Sequence, residues 1–277
     1  MDCGGGVYAV DSDVSITESD FTGNQAIQGG GLCLVDSYGS IDYSNVSGNS
    51  AWHGGGFWIE NSPSVGIKGN VISANSANTG DGGHGGGLYL RSSNVTLVQS
   101  VIVGNGATYG GGAFFYQSDP LLLNNALGDN HVTTAGAGLY ATDSSPVLRH
   151  NTIVGNTGGD GSGIHFTDSG GGNPAVEMTN TILAHQLVGI HAGDGNSVVV
   201  DGILWYQVGM PTSQTGTGSI VVTNEHSGDP AFAADGYHIT SGSAAQDAGV
   251  ATDVVVDIDG SSRPVGAFDL GADELGN

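Results

Sequence analysis

A block of small residues followed by an apolar residue returns about every 25 positions along most of this chain. It reads Gly4-Gly5-Gly6-Val7, Gly29-Gly30-Gly31-Leu32, Gly54-Gly55-Gly56-Phe57, Gly85-Gly86-Gly87-Leu88 and Gly110-Gly111-Gly112-Ala113. The block then decays to Gly136-Ala137-Gly138-Leu139, Gly161-Ser162-Gly163-Ile164 and Leu187-Val188-Gly189-Ile190. Start-to-start intervals are 25, 25, 31, 25, 26, 25 and 26 residues. A unit that short cannot close a core of its own. It buries its apolar face only against its neighbours, so the period demands a solenoid or similar array.

Aligned on the first Gly, each column states a preference. The fourth and sixth residues are apolar, as in Leu32 and Leu34, Phe57 and Ile59, Leu88 and Leu90, or Ile164 and Phe166. Side chains alternate along a strand, so the fifth residue faces the other way. The eighth column holds Asp11, Asp36, Asn61, Ser92, Gln117, Asp143, Asp168 and Asp194, and the ninth is Ser in seven of eight turns. Both residue types bond their own backbone, which predicts a turn. A second apolar strand follows (Val14 and Ile16, Val65 and Ile67, Val95 and Leu97). A third short element ends three residues before an Asn: Asn24, Asn49, Asn75, Asn105, Asn130 and Asn156. Amides stacked turn on turn can donate and accept along a ladder. A second column, Ser19, Ser44, Asn70, Ser100, Asn125, Asn151 and Asn180, has the same structural character. Three strands and three corners per turn, without helical periodicity, predict an all-β parallel β-helix of about eight to nine turns.

The chain resembles the pectin-lyase-like right-handed parallel β-helix superfamily, and the resemblance covers roughly residues 1–222. Its paired Gly-Gly-Gly-Leu and Phe21-x-x-Asn24 type motifs are similar to the repeats of polymorphic outer-membrane protein passengers. The stretch with Asp229-Pro230-Ala231-Phe232, Ser243-Ala244-Ala245-Gln246-Asp247-Ala248-Gly249 and Asp257-Ile258-Asp259-Gly260 resembles the ending of secreted bacterial β-helix proteins. Residues 1–225 are therefore expected to form the repeats, and 226–277 a C-terminal capping segment over the open end. Arg263 is expected to pair with a carboxylate such as Asp269, and Asp257-x-Asp259-Gly260 hints at calcium.

Charge narrows the function. The chain carries 27 acidic residues against four basic ones (Lys68, Arg91, Arg149, Arg263), a net charge of -23. Nucleic acid is excluded, because phosphate binding needs several Lys or Arg to displace counterions. No apolar run is long enough to span a membrane. Cys3 and Cys33 fall in different columns, so no disulfide between them is expected. No signal peptide precedes the first Gly block, which opens on a bare rung. This reads as a fragment, or as the mature part of a longer secreted or cell-surface bacterial protein, with end-to-end self-association through the N-terminal rung as one option.

The fifth column reads Tyr8, Cys33, Trp58, Tyr89, Phe114, Tyr140, His165 and His191. Its members are about 4.8 Å apart and are expected to form an exposed aromatic stripe. Tyr8, Trp58, Tyr89, Phe114 and Tyr140 would then bind a polysaccharide or cell-surface glycan, with sugar C–H faces on rings and hydroxyls on carboxylates or amides. The superfamily resemblance implies an alternative, a Ca²⁺-dependent polysaccharide lyase or a glycoside hydrolase. Its catalytic groups would come from Tyr140, His165, His191 and Asp168, with Asp143, Asp168 and Asp194 as metal ligands. A structural filament is the third reading. His53 and His84 precede the Gly block in consecutive turns, within reach of each other, and without a third ligand the pair is read as incidental rather than as a metal site.

Overall fold

In the computed structural model, which describes residues 3–78, 82–170 and 172–276, every regular element among the described residues is a β-strand. These strands pair in parallel, one turn on the next, in sheets of nine, fifteen and five strands. The first sheet runs from Val7–Val10 through Leu32–Val35, Phe57–Glu60 and Leu88–Arg91 up to Met210–Gln214. Its register sets Leu32 against Phe57, Cys33 against Trp58 and Leu34 against Ile59, so the sequence columns are physical stacks.

The second sheet starts as two ladders divided by a corner, for example Ser64–Lys68 and Val71–Ser73. In the upper turns these fuse into the long strands Ala175–Ala184, Ser197–Tyr206 and Ser219–Ser227. The third sheet is short: Ser50–Ala51, Ser76–Ala77, Gly106–Tyr109, His131–Ala135 and Thr157–Gly158.

The inward columns fill one continuous core that includes Leu34, Phe57, Ile59, Ile67, Leu90, Phe115 and Phe166, all fully buried. Each such side chain contributes about 1.5–3 kcal/mol of burial. The Gly block permits the corner between the third and first sheets. A Cβ at Gly86 would sit 2.4 Å from the Gly111 carbonyl oxygen, and Gly85 has φ +66°, so neither position accepts a side chain without strain.

The polar columns are structural, as expected. Asp11, Asp36, Asn61, Ser92, Gln117 and Asp143 adopt left-handed backbone with φ from 48° to 52°. Ser62 Oγ donates to the Glu60 carbonyl at 2.8 Å and accepts from the Ser37 N–H at 2.9 Å. The Asn ladder is continuous: Asn49, Asn75 and Asn105 each donate through Nδ2 to the Oδ1 of the Asn one turn on, at 2.9–3.0 Å.

The C-terminal segment departs from the expected end cap. After Ser227 the described residues form only isolated bridges, such as Phe232 with Ile239 and Val256 with Ser262. The segment lies along the flank of the second sheet. Gln99 Nε2 donates to the Asp257 carbonyl, Asn124 Nδ2 to that of Val256 and Asn180 Nδ2 to that of Val250. The reason is the outward apolar surface of the upper turns. Ile182, Ala184 and Leu204 are buried with Ile239, Ala245 and Leu270, while Ile220 and Val222 on the last rung stay partly exposed.

Arg263 is fully buried there, and its carboxylate partner is Glu274 at 3.5 Å. Asp269 offers the guanidinium its backbone carbonyl, at 3.1 Å. The Asp269 carboxylate instead accepts the N–H groups of Asp247 and Leu275, which corrects the expected pairing. Arg263 also donates to His150 Nδ1. Burial first, then the Arg263 charge, pushes His150 down to about 3.

Candidate functional site

The fifth column is a stack of rings, but most of it is not an open face. Trp58, Tyr89 and Phe114 are only 2%, 7% and 4% exposed, and Cys33 is fully buried. The rings lie face to face: Trp58–Tyr89 at 4.3 Å, Tyr89–Phe114 at 5.1 Å, Phe114–Tyr140 at 5.2 Å. Their outward side is covered by the residue just before each Gly block, because the tight Gly corner folds that side chain back beside the column. His53 stands 6.0 Å from Trp58 and 5.8 Å from Tyr89, His84 4.4 Å from Phe114, and Tyr109 5.3 Å from Tyr140. The expected exposed stripe of Trp58, Tyr89 and Phe114 is therefore a satellite core, and sugar cannot reach ring faces that other rings already occupy. Tyr8, at 56% exposed, is open, but its neighbour one turn on is Cys33.

The same seam joins Cys3 to Cys33 in a disulfide, with Cα atoms 5.7 Å apart. The expectation of unpaired cysteines is thus corrected. Cys3 occupies the position before the first Gly block and Cys33 the fifth column of the next turn. His84 and Phe114 have this same offset.

At its upper end the seam changes character. Tyr140, His165 and His191 are half-buried and continue the stack at 4.9 Å and 4.3 Å. Here the residue before the block is Asp160. Its Oδ2 lies 2.8 Å from His165 Nδ1, and its Oδ1 accepts from Ser162 Oγ at 2.6 Å. Burial alone would raise the Asp160 carboxyl, but the hydrogen bonds from His165 and Ser162 outweigh it and hold the group at about 2. Burial raises the Tyr140 hydroxyl to about 12, assisted by Tyr109 and Asp160. Burial, then the His165 charge, lowers His191, whose Nδ1 is 3.2 Å from Ser213 Oγ. A histidine oriented by a carboxylate is a competent proton acceptor.

Asp168 is not part of this group. It follows the far end of strand Ser162–Thr167, where its carboxylate accepts from the N–H groups of Gly170 and Asn173. Asp160 takes the place expected for it, and the column before the Gly block was the signal for that residue.

The acidic corner acts as a set of turn-to-turn staples. Asp143 Oδ1 accepts the Ser169 N–H at 2.7 Å, and Asp194 Oδ1 the Thr217 N–H at 2.8 Å. Hydrogen bonds from Thr217 lower the Asp194 carboxyl. Asp168 and Asp194 share a shallow depression with Ser169, Asn173 and Thr217, and Asp143 is not among its lining residues. With Asp143 and Asp194 each bound to the next turn and Asp143 outside the depression, the three carboxylates do not converge on one calcium position.

His53 and His84 do touch. Their rings stack at 4.8 Å, and the His84 N–H donates to His53 Nδ1 at 3.2 Å. Burial lowers His53; burial and then His53 lower His84 to about 4. The folded value of His84 lies below its unfolded 6.5, so the unfolded chain binds the extra proton. Stability contributed by neutral His84 is complete above pH 6.5, falls on acidification and bottoms out below pH 4. His84→Phe, which keeps the stack, is expected to flatten that part of the urea-midpoint-against-pH curve. An unchanged slope between pH 6.5 and 4 would show that His84 is not buried neutral.

One exposed aromatic was not anticipated. Trp52 is 45% exposed and shares a surface depression of about 340 Å³ with Gln25, Ala26, Ile27, Ser50, Ala51 and Asn78. It stands at the edge of the third sheet, one turn above Ile27 and edge-on to His53 at 6.4 Å. Other turns place Ile27, Gly83, Thr108, Thr134, Gly159 and His185 at this position, so no periodic signal marked it.

The family model described as right handed beta helix region matches residues 2–107 and 78–203. No curated protein matches the chain in sequence. Among solved structures the chain is similar to the "Crystal structure of pectate lyase Pel9A", with 12% identity and a TM-score of 0.42 over 96% of this chain and 86% of that one. The parallel ladders described above and a family match spanning more than half the sequence agree: this chain belongs to the right-handed β-helix family.

Proposed function

We propose that this chain is an exported or cell-surface β-helix protein that binds a neutral glycan at the Trp52 depression. The observation that carries the reading is a half-exposed indole in a concave site, whose lining combines Ala26, Ile27 and Ala51 with Gln25, Ser50 and Asn78. An indole face suits the C–H face of a sugar, and amide and hydroxyl groups suit its hydroxyls. Charge favours a neutral ligand. The net charge is -23, and all four basic side chains are engaged: Arg91 with Glu60, Arg149 with Asp253, Arg263 with Glu274, and Lys68 over the Tyr43 ring. The Cys3–Cys33 disulfide supports an oxidising compartment.

Retention on cellulose, xylan, mannan and β-glucan tests the idea directly. Trp52→Ala should weaken binding about tenfold or more, a loss of about 1.4 kcal/mol. Equal retention of Trp52→Ala, or no retention of the parent protein on any of these glycans, would sink it.

A second reading rests on the Asp160–His165 hydrogen bond, which equips the upper seam with a base for polysaccharide cleavage. It predicts release of reducing ends or unsaturated products, abolished by His165→Ala and untouched by Trp58→Phe. Absence of product from a broad polysaccharide panel removes this reading and leaves binding.

A further inference from the structure

The C-terminal segment must hold its shape without a sheet ladder of its own. Three potential metal ligands converge there from separate stretches: His238, Asp259 and Asp273, whose ligand atoms lie within 4.8 Å of one another. His238 follows the turn at Asp235, Asp259 lies in the loop after Asp257, and Asp273 comes from near the C-terminus. Each is anchored by a buried apolar neighbour. Ile239 packs with Ile182 and Leu204, while Ile258 and Ala272 pack with Ala126. The ligands therefore sit on fixed backbone, although two of the three side chains reach the surface.

Two features go beyond a chance gathering of acids. The first is the orientation of the histidine. Asp235 Oδ2 lies 2.6 Å from His238 Nδ1, which turns Nε2 toward Asp259 Oδ2 at 2.9 Å. A carboxylate on one ring nitrogen with the other facing further ligands is the usual support of a metal-binding histidine. The second is Asp273, only 7% exposed, whose Oδ2 is held by the Ile239 N–H at 2.8 Å. A carboxylate fixed this deeply beside an imidazole is a pre-organised ligand.

We infer that His238, Asp259 and Asp273 form a binding site for a zinc-type divalent ion that clamps the C-terminal segment. The mixed nitrogen and oxygen donor set selects a transition metal over calcium, which prefers an all-oxygen shell. Tetrahedral ligands about 2.1 Å from zinc stand about 3.4 Å apart. His238 Nε2 and Asp259 Oδ2, at 2.9 Å, are already within that spacing, and the widest separation in the cluster needs to close by no more than about 1.4 Å. Asp235 is a positioning residue that holds the imidazole, and solvent completes the coordination. On binding, any proton on Nε2 leaves to solvent. No other bond changes.

The test is calorimetric titration of the full chain with zinc chloride at pH 7.5, with calcium chloride as comparison and thermal midpoints recorded with and without metal. The expected result is one zinc per chain, a midpoint raised by several degrees, and weak or no response to calcium. Asp259→Asn, at an exposed position, should retain the metal-free midpoint and lose the zinc-dependent rise. Asp235→Asn should weaken zinc about 10- to 100-fold without removing a ligand. The site is overturned by no heat and no midpoint shift with 1 mM zinc. It is equally overturned by zinc binding unchanged in Asp259→Asn, which would mark an adventitious ion on an acidic surface.

Discussion

Trp58→Ala should lower the unfolding free energy by about 3–5 kcal/mol and leave glycan retention per folded molecule unchanged. Trp58 is 2% exposed and lies parallel to Tyr89, with ring centroids 4.3 Å apart. Its Nε1 donates to Glu60 Oε2 at 3.2 Å, and Glu60 pairs with Arg91 at 3.3 Å. Truncation opens a cavity beneath His53 and releases that hydrogen bond. The contrasting variant is Trp52→Ala, which sits on the surface and should change stability by no more than about 0.5 kcal/mol. Urea unfolding of both proteins, alongside the glycan assay, separates the two aromatic surfaces. If Trp58→Ala proved neutral for stability yet lost binding, the fifth column would be a contact face after all.

Asn105→Ala should cost a comparable amount, about 3–5 kcal/mol, because it orphans several buried groups at once. Nδ2 of Asn105 donates to the Ile72 carbonyl at 2.9 Å and to Asn130 Oδ1 at 3.0 Å. Its Oδ1 accepts the Asn75 N–H at 2.9 Å and Asn75 Nδ2 at 3.0 Å. None of these groups meets water at this corner, where Asn75, Asn105 and Asn130 are all buried. Each one left unpaired costs about 1–3 kcal/mol, partly offset by relaxation. Asn24 is the internal comparison. It stands on the first rung, is partly exposed and makes fewer bonds, so Asn24→Ala should cost only about 1 kcal/mol. Stability in a stacked array is a sum of rung and interface terms, so the midpoint change should come with a broader transition for Asn105→Ala. Equal losses at both positions would mean that the ladder contributes little beyond its backbone bonds.

The architecture was legible because each column repeats one physical requirement. Phe57 and Ile59 recur as apolar residues two apart because one strand face must be buried. Asn75 and Asn105 recur because a buried corner must pair its backbone. Ser62 and Ser93 recur because the neighbouring corner needs a short hydroxyl. The candidate sites were less legible, since they depend on what lies beside a column. Trp58 and Phe114 were placed correctly on the outer side of the strand, yet their exposure was misread because His53 and His84 come from a different column. The same omission hid the Cys3–Cys33 disulfide and Asp160 as the partner of His165. Trp52, in a column without regularity, gave no periodic cue.

The repeat alone determined the solenoid, its parallel strands and the inward and outward assignment of each strand residue. Alternation and turn chemistry are local properties, and the 25-residue period writes them out turn after turn. Tertiary structure decided which outward residues meet water. The Gly block carries the chain through a tight corner and brings the residue before it alongside the fifth column, while the C-terminal segment folds back onto the flank of the second sheet. Both are contacts between positions with no shared periodicity. They were set by the angle of a corner and by the apolar surface of Ile182 and Leu204, which only the folded chain brings face to face with their partners.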